Sequence, residues 1–160
     1  MIRLVNIYDD RQDDGYSLRL GAAELLYQLL KERPAEANIS HRELPIFEQH
    51  VNFLMGRPYQ HWYMIESEIA PVDSAPAWVR VGAIGATKLN EITIAILAAH
   101  RRKGYARQAI IEFMATHEPL NAKPSLRIER WQANIAPGNE ASKALFTGLN
   151  FKPTQITYQL

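Results

Sequence analysis

The stretch from Glu91 to Ile135 restricts the fold more than any other part of the chain. It opens with EITIAILAA, in which Ile92, Ile94 and Ile96 share one face of an expected strand, and Leu97 breaks the alternation, so a bulge is expected near Ile96. A basic turn, HRRKGYAR, leads into a helix from Tyr105 to His117 with Ala106, Ile110, Phe113 and Met114 at helical spacing before Pro119. SLRIERWQANI then reads as a second strand. Strand, helix and strand in such close succession form a crossover, which makes the two strands parallel.

The rest of the chain is assigned by the same signals. Met1 to Tyr8 reads as the first strand, and the aspartates of DDRQDDG as a solvated loop. Leu18, Ala22, Leu25, Leu26 and Leu29 predict a helix over Ser17 to Arg33, and Pro45 opens a second one stopped by GRP at 56–58. HWYMIESEI (61–69) and WVRVGAIGATKL (78–89) form a hairpin across a proline-bearing turn. NEASKALFTGLN supplies a short helix and FKPTQITYQL a terminal strand. The order β-α-α-β-β-β-α-β-α-β implies one α/β domain over residues 1–160, with a mixed, mostly antiparallel sheet of six to seven strands and four helices spread over both faces.

Bulk properties narrow the function. A net charge of +1 argues against a protein that wraps nucleic acid, so any basic function is local. With no cysteine, disulfides, thiolate nucleophiles and Cys-based zinc sites are excluded, and a reducing cytoplasm is the expected compartment. His50 and His61 lack metal-ligand spacing, and no metal is expected. MIRLVNIYDD has no long apolar core, so no signal peptide is expected, and no apolar run approaches the ~20 residues of a membrane span.

The basic turn is the strongest chemical signal. A helix starting at Gly104 points unpaired N–H groups and its positive dipole end at whatever lies beyond the strand. Glycine admits a bulky anion and Ala106 does not block it, while Arg101, Arg102, Lys103 and Arg107 add charge at the rim, so a pyrophosphate is the expected guest. R-x-x-G-x-A at 101–106, followed by NEASKALFTGLNF at 139–151, resembles the GNAT superfamily of acetyl-CoA-dependent N-acetyltransferases, in detail from about Glu91 to Phe151. Dinucleotide-binding and P-loop glycine patterns do not fit.

That resemblance implies acetyl-CoA as co-substrate and transfer to an amine acceptor, in a monomer or homodimer. Arg101, Arg102, Lys103, Gly104, Tyr105, Ala106 and Arg107 would surround the pyrophosphate. Ile96, Leu97 and Ala98 would pair through their backbone with the pantetheine arm, where the fourth strand (91–99) and the fifth (125–135) splay apart. Asn139, Ser142 and Phe146 would line the same groove, although Asn139 in P-G-N-E is equally a helix N-cap. Glu91 matches a family glutamate that takes the proton from the amine, with Glu66 and His61 as lesser candidates, and the N–H of Ile96 or Leu97 would hold the oxyanion.

Two departures stand out. Phe146 replaces the usual tyrosine that protonates the departing thiolate, which leaves water, Tyr63, Tyr105 or Tyr158 as the proton source, or a chain that binds acyl-CoA without transfer. Asn150 replaces a glycine, a mild change because asparagine tolerates left-handed backbone. The acceptor is expected to be a small-molecule amine or nucleotide sugar, with protein or nucleic acid modification as the alternative. Phe53, Tyr59, Trp62, Tyr63 and Trp131 are the aromatics available for a groove.

Overall fold

The computed structural model describes residues 1–9, 17–37, 43–72, 75–120 and 130–155. Its centre is the hairpin of β4 (Tyr59–Val72) and β5 (Ala75–Thr87). β1 (Ile2–Asn6) adds antiparallel to β4, and β6 (Ile92–Ile96) adds antiparallel to β5, giving the order β1-β4-β5-β6. A separate two-stranded ribbon pairs β2 (Tyr8–Asp9) with β3 (Ser17–Leu18).

α1 (Ala22–Lys31) and α2 (Phe47–Met55) pack on one face of the sheet, around Ile7, Leu25, Leu26, Leu29, Leu54 and Met64. α3 (Tyr105–Thr116) and α4 (Glu140–Thr147) pack on the other, around Ile65, Ile84, Ile110, Phe113 and Phe146. An α/β architecture with helices on both faces therefore holds. Among the described residues the main sheet has four strands. The expected strand at 125–135 is described from 130 onward and contributes one parallel bridge, Glu91 with Gln132, while 151–155 carry no strand and 156–160 lie outside the described residues. No helix among the described residues is long and apolar enough to cross a membrane.

Three local expectations need correction. The first helix starts at Ala22 and not at Ser17, because Ser17 and Leu18 pair with β2 and the Arg19 N–H bonds the Ile7 carbonyl at 2.7 Å. The first strand breaks at Ile7 for the same reason, its continuation bending away to meet β3. No bulge occurs at Ile96, where the register with β5 runs unshifted. The shifts lie in the hairpin, between Tyr59 and His61, Ile65 and Glu66, and Ile69 and Val72.

Gly82 sets how closely β6 approaches. A Cβ there would strike the Ala95 carbonyl and come within 2.7 Å of the Ile96 Cδ1. Gly82→Ala should therefore push β6 away from β5 and destabilise the fold by ~1–3 kcal/mol, the usual cost of overpacking, measurable by urea denaturation. A variant as stable as the parent would show that the two strands separate without cost.

Candidate functional site

β6 presents one paired edge and one open edge. Thr87 N–H to Glu91 carbonyl (3.0 Å) and Leu97 N–H to Val81 carbonyl (2.9 Å) show that odd-numbered residues face β5. The N–H and C=O groups of Ile92, Ile94 and Ile96 consequently face outward. At the start of the strand they are used: the Ile92 N–H meets the Gln132 carbonyl at 2.7 Å, and the Gln132 N–H meets the Asn90 carbonyl at 3.0 Å. Beyond that bridge the Ile94 N–H and C=O and the Ile96 N–H have no hydrogen-bond partner among the described residues. The chain that returns from α3 bridges β6 at its start and makes no further backbone hydrogen bond to it among the described residues.

The open edge runs into the basic turn. Ala98–His100 forms a single 3-10 turn, Arg102 has φ 60°, and Gly104 has φ 80° as the residue that starts α3. The left-handed angle at Gly104 is where glycine is needed, and its missing side chain faces open space, with Gln108 Nε2 3.7 Å from an ideal Cβ. The cations divide into two kinds. Arg101 donates to the Ile96 carbonyl at 3.0 Å and to the Glu32 carbonyl at 2.8 Å, and Arg107 donates to the Gly148 carbonyl at 2.9 Å, tying α3 to α4. Arg102 and Lys103 are exposed and make no such bond to a described residue. Tyr105 takes a hydrogen bond from Ser67 at 3.2 Å.

The residues expected along the groove behave unequally. Leu97 has spent its N–H on β5, so of the two expected oxyanion donors Ile96 alone faces the open edge. The Ala98 N–H donates to Glu32 Oε2 at 2.6 Å. Asn139 caps α4, its Oδ1 accepting from the Ser142 N–H at 3.0 Å. Phe146 is 5% exposed and meets Phe151 edge to face at 5.1 Å. Asn150 adopts φ 66°, the left-handed backbone that asparagine tolerates.

Glu91 lies at the single parallel bridge, opposite Gln132. Its carboxylate accepts from Thr87 Oγ1 at 2.9 Å and from Asn134 Nδ2 at 2.8 Å. Five residues of strand separate it from Ile96, roughly 16 Å at the usual rise. The structure does not bring the expected base and the expected oxyanion donor together. Glu66 is a fold element: Arg3 grips it at 2.8 and 2.6 Å, and Arg80 stands 3.7 Å away. The aromatics split between the two faces. Trp62 stacks on Tyr59 at 4.2 Å and meets Phe53 on the α2 side, whereas Tyr63 and Trp131 pack against Phe113 of α3.

Sequence reasoning missed a histidine pair. His61 and His117 lie 4.4 Å apart between ring centroids, His117 stacks on Phe113, and Tyr63 Oη is 2.8 Å from His117 Nε2. The signal was present as two periodicities: His61 and Tyr63 are two apart on a strand, and Phe113 and His117 four apart across a helix end. Burial, and then the charge of His117, pushes the His61 imidazole below its ordinary range, and burial pushes the Tyr63 phenol up. Burial also lowers His50, partly offset by its bond to the Ala23 backbone. Tyr158 lies outside the described residues.

Comparison with known proteins extends the fold alone. No family model matches the chain, and no curated protein matches it. Among solved structures it is similar to a domain from Methanocaldococcus jannaschii DSM 2661, at a TM-score of 0.65 and 20% identity, over 97% of this chain and 90% of that one.

The depressed histidines fix the sign of a pH effect. The unfolded chain takes up protons near pH 6.5, while folded His61 and His50 resist protonation until lower pH. Their contribution to stability is complete above ~6.5 and is lost as pH falls through the folded values. Tm should therefore drop between pH 7 and 5, and His61→Gln should flatten part of that drop, His50 supplying the remainder. An identical slope in the variant would remove His61 from the account.

Proposed function

We propose that the chain is an acetyl-CoA-dependent N-acetyltransferase of GNAT type, which moves an acetyl group to a primary amine of a small molecule or nucleotide sugar by direct attack. The observation that carries this reading is the continuity of the open β6 edge with the Gly104 turn. The Ile94 N–H and C=O and the Ile96 N–H, unpaired among the described residues, suit an extended amide-bearing arm, and the N–H groups at the start of α3, with exposed Arg102 and Lys103, suit the phosphates at its end.

Chemistry follows from the same edge. The amine nitrogen attacks the thioester carbonyl carbon, the C–N bond forms, and the Ile96 N–H stabilises the oxyanion before the C–S bond breaks. Glu91, about 16 Å from Ile96 along the strand, draws the amine proton through water and not by contact. The thiolate takes its proton from water or from Tyr105, which accepts from Ser67 and keeps its own hydroxyl proton, since Phe146 carries no hydroxyl and Tyr63 is engaged by His117. A second reading, acyl-CoA binding without transfer, draws support from Phe146, which is buried against Phe151.

Acetyl-CoA should raise Tm by selective binding to the native state, and Gly104→Glu should abolish the rise by placing a carboxylate in the anion's position. Lys103→Glu, at an exposed position, should weaken it without the backbone cost. A full shift in both variants would place the cofactor elsewhere. With a competent amine, Glu91→Gln should slow transfer most near neutral pH and recover at high pH, where the amine loses its proton unaided. Unchanged activity would remove Glu91 as the base, and binding without thiol release across a broad amine panel would favour the second reading.

A further inference from the structure

The two backbone groups at the top of the open edge are already in use, by this chain itself. Ile96 and Ala98 stand two residues apart, the spacing at which one carbonyl and one N–H serve the same extended partner. Arg101 Nε donates to the Ile96 carbonyl at 3.0 Å, and Glu32 Oε2 accepts from the Ala98 N–H at 2.6 Å. A donor on the carbonyl and an acceptor on the amide reproduce what one residue of a parallel neighbouring strand offers, its N–H and C=O drawn from two successive peptide groups. The same guanidinium reaches the Glu32 carbonyl at 2.8 Å, so the end of α1 is fastened across the mouth of the edge.

We propose that Glu32 and Arg101 form an internal plug on β6, which the amide-bearing arm of the incoming acyl-CoA displaces. The inference rests on the cofactor reading above and adds two residues to it, one of them unsuspected from sequence. The plug makes the edge selective. A ligand with phosphates but no amides cannot replace both contacts, whereas an arm with two successive amides donates from one N–H to the Ile96 carbonyl, accepts at the other C=O from the Ala98 N–H and expels the carboxylate. The Ala98 N–H, followed by Gln28 and the charges of Arg101 and Lys31, holds the Glu32 carboxyl below its ordinary range, so the plug stays ionised at neutral pH.

Glu32→Ala removes the carboxylate half of the plug at a half-buried position following α1. Calorimetric titration should show CoA binding ~10-fold more tightly to the variant, because the closed state no longer reduces the competent fraction. ADP, which has the pyrophosphate and no amide arm, should bind both proteins within about 2-fold, as a ligand without differential contacts shifts nothing. Equal gains for CoA and ADP would reduce Glu32 to a nearby negative charge and overturn the proposal. Amide hydrogen exchange at Ala98 without ligand reads the plug independently. Faster exchange in the variant is expected, and an unchanged rate would overturn the contact. If CoA binds neither protein while exchange accelerates as expected, the cofactor reading falls and the closed contact stands.

Discussion

Everything at the candidate site depends on one buried asparagine. Asn90 is 1% exposed, holds φ 60°, donates through Nδ2 to the Leu120 carbonyl at 2.9 Å and accepts from the Leu120 N–H at 2.8 Å. Its carbonyl receives the Gln132 N–H at 3.0 Å, which begins the single parallel bridge. One residue therefore turns β5 into β6, pins the chain that leaves α3, and sets where the returning segment makes contact. Asparagine bears the left-handed angle at small cost and supplies a donor and an acceptor that glycine lacks. Among the described residues the returning chain bonds β6 there and nowhere further along, which leaves the edge beyond it open to them.

The second constraint is how the cations around that edge are shared between holding the fold and facing solvent. Arg107 spends a bond on the end of α4, Arg101 bridges α1 and β6, and the remaining two, Arg102 and Lys103, face outward. A cluster that looks uniform in sequence is thus graded in structure. Those at the margins brace elements together, and those in the middle are available. Tyr105 and Asn139 show the same division, one receiving the Ser67 hydroxyl and the other capping its helix, so the rigid frame of the turn is built from residues beside its free groups.

Much of this was legible because it is local. Alternation gave β6, helical spacing gave α3, a glycine between them gave the start of the helix, and Asn150 in place of glycine foretold its left-handed angle. What stayed hidden depends on pairs far apart in the chain. Glu32 meets Ala98 across 66 residues, and Tyr63 meets His117 across 54, and no spacing rule joins such partners. The break between β1 and β2 was illegible for the same reason, since it is made by pairing with Ser17 and Leu18. The aromatic groove is a different case. Trp62 and Tyr63 are neighbours in one strand, so alternation already sends them to opposite faces, and they were never able to line one surface together.

The open edge has a consequence for the protein in bulk. Unpaired strand groups are a template for any other strand, and a chain with pI near 8.0 and a net charge of +1 has little overall repulsion to keep copies apart. Protection has to be local. It comes from the shortness of β6, five residues long, from the returning segment pinned at one end, and from charged side chains crowded at the other. The features on which the proposed binding rests are the ones that make the edge a poor place for a second copy to add a strand, so colloidal stability is tied to the same few backbone groups.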